Sequence, residues 1–208
     1  MSTTVLDAYL APVMSKYIRR LERAVEGPLW IVQSSGGVLR SAEAATNPVQ
    51  TVLSGPAAGV VGARAVAAAS GYTRIVTLDM GGTSTDVAVC PGEPLRRTDA
   101  EVGGLPVAIP MTDIHTVGAG GGSIAAIDEA GGLRVGPRSA GAEPGPAAYG
   151  RGGVEPTVTD ANVVLGRLIP SATLADDVSL DQSAAEAALD RLLPSDSNSN
   201  GARWRAAE

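Results

Sequence analysis

The sequence predicts an α/β fold, on three observations. Aromatic residues make up only 3% of the chain and Phe is absent, so a core must come from Val, Leu, Ile and Ala. Such side chains suit strands covered by close-packed helices. Short β-branched runs alternate along the chain with segments of helical apolar spacing. A length of 208 residues is enough to bury roughly 70% of the unfolded surface.

The elements follow in order. Val5, Leu6, Tyr9, Leu10, Val13, Met14, Tyr17, Ile18, Leu21 and Val25 recur at helical spacing, with Thr4 as cap and Gly27-Pro28 as stop. Pro12 predicts a kink there or a helix that begins there. Residues 28–33 read as a strand leading into Ser34-Ser35-Gly36-Gly37, then a short Ala-rich helix and a second strand over 49–53. Ser54-Gly55-Pro56 opens a helix to about Ala69, built almost wholly of Ala and Gly. Residues 74–79 and 85–90 form two strands around a glycine-bearing hairpin, whose glycines permit positive φ. Strands follow at 123–128 and 133–136, a long Gly- and Pro-rich loop over 136–153, and helices at 159–168 and 181–193. Residues 195–201 are polar and low in complexity, the composition of a disordered tail.

Composition narrows the function. Sixteen basic residues stand against 22 acidic ones, and the densest basic cluster is Arg19, Arg20 and Arg23, which argues against a nucleic-acid partner. One cysteine, Cys90, and one histidine, His115, leave no disulfide framework and no His-rich zinc site. The apolar runs are short and broken by glycine, so neither a membrane span nor a signal peptide is expected, and a reduced, cytoplasmic setting fits.

The strongest chemical signal is Asp79-Met80-Gly81-Gly82-Thr83-Ser84-Thr85-Asp86 between two strands. Such a hairpin can aim successive backbone N–H groups and hydroxyls into one concavity, which is how a neutral loop holds phosphate oxygens. A carboxylate repels phosphate, so Asp79 is suited to hold Mg²⁺ through water, and Asp86 either joins it or orients Thr83. The same composition also suits a purely structural turn. A second glycine-rich loop, Val117-Gly118-Ala119-Gly120-Gly121-Gly122-Ser123, lets backbone pass close to a purine or a further phosphate. His115, between these loops, is either an acid–base or substrate-binding group or a hydrogen-bonded structural residue, and Asp113 shares that choice. Asp160 and Asn162 suit helix capping, with a nucleotide or substrate role as the alternative, and Cys90 suits a small buried hydrophobe rather than a nucleophile.

In order along residues 3 to 193, Ser54-Gly55-Pro56-Ala57-Ala58-Gly59, the 79–86 loop, Asp113-Ile114-His115-Thr116 with the 117–123 loop, Gly145-Pro146-Ala147-Ala148-Tyr149-Gly150 and Thr157-Val158-Thr159-Asp160-Ala161-Asn162 resemble the hydantoinase A/5-oxoprolinase family. The resemblance implies an actin-like (ribonuclease H-like) ATPase fold with mixed sheets flanked by helices. It implies ATP and Mg²⁺ as cofactors, a cyclic amide or, in the carboxylase members, a ketone as substrate, and a B-type partner subunit or domain. Gly81, Gly82, Thr83, Ser84 and Thr85 would match the second phosphate motif of that fold, and Gly118, Gly120, Gly121 and Gly122 its adenosine-side loop. Beside these, Asp79, Asp86 and His115 remain the candidate catalytic set on their own chemistry, with Asp79 on the metal. Residues 1–55 would end a first lobe, 56–70 connect the lobes, 71–194 form the second lobe and 195–208 a disordered tail. The family's first phosphate motif has no counterpart before residue 79, so an incomplete site, inactive by itself, is expected.

Overall fold

A computed structural model of the chain describes residues 1–169 and 179–192; the expected disordered tail lies outside them. The fold is mixed α/β. The chain forms two compact units, one of residues 1–79 and 86–115, the other of residues 80–85 and 116 onward. The helix expected to connect two lobes lies wholly in the first unit.

In the first unit, α1 (Ser2–Ala24) runs through Pro12 rather than starting there. Its fixation by tertiary contact explains the tolerance of a residue costing about 3 kcal/mol in an isolated helix. Ile18 is buried, the Asp7 carboxylate accepts the Val49 N–H at 2.9 Å, and Thr3 Oγ1 accepts the Ala108 N–H at 3.0 Å. β1 (Trp30–Val32) and β2 (Val38–Arg40) pair antiparallel, with Ile31 opposite Leu39. The strand β2 was not foreseen in the sequence. It precedes α2 (Ser41–Thr46), the expected Ala-rich helix.

Residues 48–51 correct an expectation. The apolar stretch read as a strand is a 3-10 turn, Pro48–Thr51, with Pro48 and Val49 buried. Proline fixes φ near the helical value and has no N–H for a ladder, and the Val49 N–H is already given to Asp7. α3 (Ser54–Ala69) follows as expected, entered through Leu53 at φ 56°.

β3 (Ile75–Met80), β4 (Thr85–Cys90) and a later strand, His115–Val117, form a three-stranded sheet in that order. Between them lie four strands the sequence did not announce. β5 (Arg96–Arg97) pairs with β8 (Met111–Thr112), and β6 (Ala100–Val102) with β7 (Leu105–Val107), so His115–Val117 is β9. Each is two or three residues long, too short for a periodic signal. Val60 of α3, Ala88 and Cys90 of β4, Ile75 and Ile114 form the core of this unit.

In the second unit β10 (Ser123–Ile127) and β11 (Leu133–Ser139) pair antiparallel. The turn between them is organised by Asp128, which accepts N–H groups of Ala130 at 3.0 Å and Gly132 at 2.8 Å and pairs with Arg134 at 2.7 Å. β11 takes up the start of the expected long loop, and a 3-10 turn at Ala147–Tyr149 orders its middle. α4 (Val158–Val164) stops short of residue 168 because Gly166 adopts φ +68° just past its end. α5 (Gln182–Asp190) is capped by Asp181, whose carboxylate accepts the Ala184 N–H at 3.0 Å. Ala148, Val163, Leu180 and Ala185 form the core. Among the described residues no helix is long and apolar enough to cross a membrane.

Candidate functional site

The two glycine-rich loops meet inside the second unit. Residues 80–85 form a tight turn in which the Gly81 N–H donates to the Ser84 carbonyl at 2.9 Å. The second loop fastens onto it: the Gly121 N–H donates to Gly81 O at 2.9 Å and the Gly122 N–H to Gly82 O at 2.6 Å. The buried Thr85 hydroxyl donates to Ala119 O at 2.5 Å. On its other side the second loop receives the Thr159 N–H on Gly121 O and the Ala140 N–H on Gly122 O, both at 2.8 Å.

This arrangement revises what the glycines are for. Gly81 and Gly82 are not among the residues with positive φ, so the hairpin does not depend on left-handed backbone there. A Cβ on Gly82 would meet nothing within 4 Å. At Gly120 a Cβ would lie 2.7 Å from Ser84 N and 2.8 Å from Gly81 O, and at Gly122 it would lie 2.9 Å from Gly82 O. Gly120 and Gly122 are required by backbone lying on backbone, whereas a Cβ on Gly121 would meet the Thr159 hydroxyl at 2.7 Å and one on Gly118 nothing within 4 Å. The N–H groups of Gly121 and Gly122 are spent on that contact, and the Gly120 N–H goes to Ser123 Oγ at 2.9 Å. Those of Gly82, Thr83 and Ser84 take no part in the fastening.

Behind the second loop stands a carboxylate that the sequence reads first as a helix cap. Asp160 is fully buried. It accepts the N–H and the hydroxyl of Thr157, at 2.9 and 2.7 Å, which is the capping role, and also the Ala148 N–H at 2.8 Å. It therefore ties the 3-10 turn of the long loop to the start of α4. Thr-x-x-Asp signals the cap; nothing in the sequence signals the link to Ala148.

The remaining expected residues lie in the first unit. Asp79 is exposed and Asp86 half-buried, and both line a groove of about 450 Å³ with Pro56, Gly59, Val60 and Ala63 of α3. A Cβ on Gly59 would stand 3.8 Å from Asp79 Oδ2, so the small face of α3 leaves this carboxylate room. Two carboxylates and no thiol or imidazole in the groove form an all-oxygen donor set. That fits a hard cation which keeps most of its waters. No group of three or more acidic, His or Cys residues able to hold a metal exists among the described residues. His115, on β9, is exposed. Asp113 pairs with Arg97 at 3.6 Å and gives its N–H to Leu95 O, a structural role. Cys90 is buried, and burial pushes its thiol up against the opposing pull of Arg64, away from nucleophilic use.

The family model for hydantoinase/oxoprolinase matches residues 1–200. The caprolactamase subunit alpha of Pseudomonas jessenii is 44% identical over 190 residues, 88% of this chain and 27% of that protein. The 5-oxoprolinase of Saccharomyces cerevisiae is 41% identical over 174 residues, 81% of this chain and 13% of that protein. The crystal structure of the ATP-dependent caprolactamase from Pseudomonas jessenii superposes with a TM-score of 0.77 at 40% identity, covering 99% of this chain and 30% of that one. A nucleotide-free acetone carboxylase superposes with a TM-score of 0.75 at 29% identity, covering 95% and 28%. The chain spans less than a third of the length of each of these relatives, and it belongs to the hydantoinase/oxoprolinase family.

Proposed function

We propose that this chain is the nucleotide-gripping part of an ATP-dependent enzyme that hydrolyses a cyclic amide of the hydantoin or 5-oxoproline type, on an actin-like fold. The observation that carries the reading is the loop at residues 80–85. It is held from behind by the second glycine loop, while the N–H groups of Gly82, Thr83 and Ser84 stay outside that fastening. A loop braced in this way is pre-organised to receive phosphate oxygens at no further ordering cost. Thr83 and Ser84 add hydroxyls. Asp79, with Asp86 in the same groove, would hold hydrated Mg²⁺, which when bound offsets charge on the phosphates. ATP supplies the phosphoryl group that renders a ring amide open to water. The second loop enters this reading as a brace and, through Gly118, as the side nearest a nucleoside. His115 is retained as the candidate acid–base group. The relatives' names, an ATP-dependent caprolactamase and a 5-oxoprolinase, support the substrate class. The description of one as a subunit alpha supports a B-type partner. A cytoplasmic setting accords with the lone, buried Cys90.

The likeness to acetone carboxylase favours one second reading, the same nucleotide grip serving a ketone carboxylase. The test is ATP turnover by the full-length protein with a lactam, with acetone, and with neither. Asp79→Asn keeps side-chain volume while removing the charge, and about a 100-fold loss of Mg²⁺-dependent turnover with an unchanged melting temperature is expected. Near-normal turnover in that variant rejects the assignment, and the absence of nucleotide hydrolysis with any substrate favours a non-catalytic module.

A further inference from the structure

The first unit holds a second cavity that the nucleotide reading leaves unused. It has a volume of about 220 Å³ and is lined by Gln33, Ser35, Val49, Gln50, Ile109 and Pro110. Its floor is the loop after β1, and that loop is fixed from every side. The Ser34 N–H donates to Gln50 O at 2.7 Å, its hydroxyl to Gln50 O at 2.8 Å and Val52 O at 2.6 Å, and its carbonyl accepts the Thr112 N–H at 2.7 Å. Gly36 sits at φ +82°, where a Cβ would strike Val61 at 2.8 Å. Ser34 is consumed by this anchoring, whereas Ser35 next to it faces the cavity.

The Gln33 carboxamide lies over Gly37, where a Cβ would come within 2.8 Å of its Nε2, and its one hydrogen bond, to Val38 O at 3.5 Å, is long and easily exchanged. Two carboxamides and a hydroxyl therefore line a cavity whose other walls are apolar and which contains no charged side chain. Carboxamides offer a donor and an acceptor together, the complement of an N–H beside a C=O. The absence of a cation among the lining residues disfavours a carboxylate-bearing ligand, and the volume is below the range of drug-sized sites.

We infer that this cavity binds a small, neutral ring through its amide, with Gln33 and Gln50 reading the N–H and C=O and Val49, Ile109 and Pro110 covering the ring. The inference deepens the cyclic-amide reading, rests on it for the substrate class, and narrows that class to neutral rings of the hydantoin or plain lactam kind, setting 5-oxoproline aside. In the full-length protein without nucleotide, calorimetry with ε-caprolactam should show binding. Cycloheptanone, which lacks the N–H, and 5-oxoproline, which adds a carboxylate, should bind at least about tenfold more weakly. Gln33→Leu and Gln50→Leu should each raise the Kd for ε-caprolactam about tenfold, and Ile109→Trp should abolish binding by filling the space, all with unchanged melting temperatures. Equal binding of lactam and ketone, or unaltered binding in all three variants, overturns the proposal. Lactam-stimulated ATP turnover that the three variants leave untouched removes the cavity and keeps the enzyme assignment. Binding lost in the variants without lactam-stimulated turnover in the parent does the reverse.

Discussion

The two glycine-rich loops of the second unit are alike in composition and opposite in construction. In the first, Gly82 has open space around the position a Cβ would occupy, and its neighbours' N–H groups stay outside the fastening. In the second, a Cβ on Gly120 or Gly122 would fall within 2.9 Å of another segment's backbone, and the N–H groups of Gly120, Gly121 and Gly122 are all committed internally. One loop presents backbone outward and the other gives up its own backbone groups to hold the first in shape. A glycine run is thus not one signal: it marks either backbone offered to a ligand or backbone touching backbone.

Substitutions can break this contrast. Gly120→Ala should have the largest effect, because the atoms it meets are main chain and cannot rotate away; about 3 kcal/mol of destabilisation is expected by denaturant titration, and an unchanged midpoint would mean the loops are not in register as described. Thr85→Val removes the hydroxyl that fastens Ala119 O while conserving shape, and should cost about 1–2 kcal/mol by leaving that carbonyl without its donor. Gly82→Ala should stay within about 0.5 kcal/mol of the parent in stability yet weaken nucleotide binding in a titration, since the new methyl enters the concavity. If it destabilises as much as Gly120→Ala, the two loops do not differ in kind.

The smallest expected effect lies on the β10–β11 turn, away from both loops. The hydrogen bond from Arg134, with those from the Gly132 and Ala130 N–H groups, holds the Asp128 carboxyl below its ordinary value. A carboxyl with a depressed folded-state pKa contributes stability above its unfolded pKa of about 3.9 and loses it as pH falls through the folded value. Amide exchange in β10 and β11 should therefore quicken modestly on acidification below about pH 4, and Asp128→Asn should flatten that dependence.

Much of the architecture was legible because it follows period. α3, β3, β4, β10 and β11 each carry a sustained apolar or β-branched pattern and were found within a few residues. β5 to β8 were not, since two or three residues carry no period and their pairing is decided by the chain around them. Residues 49–53 show the opposite failure: an apolar run with strand composition is turned by Pro48 and by a carboxylate from α1. At the site, the order of motifs exposed both loops, but glycine letters do not distinguish open φ from close approach. The cavity over Gln33 was invisible for a further reason, that Gln50 and Ile109 arrive from segments far apart in the chain.

Most of β3 and β4 belongs to one compact unit, while the tip joining them, residues 80–85, belongs to the other. The second unit is therefore not a continuous stretch of polypeptide. A chain started at Thr116 would lack the carbonyls that receive Gly121 and Gly122 and the hydroxyl that holds Ala119. Limited proteolysis that cuts between β3 and β4 would sever the same tongue without releasing a whole unit. Transplanting the paired loops into another scaffold would require both segments to travel together, so a crossover between relatives that falls within residues 80–123 would separate them.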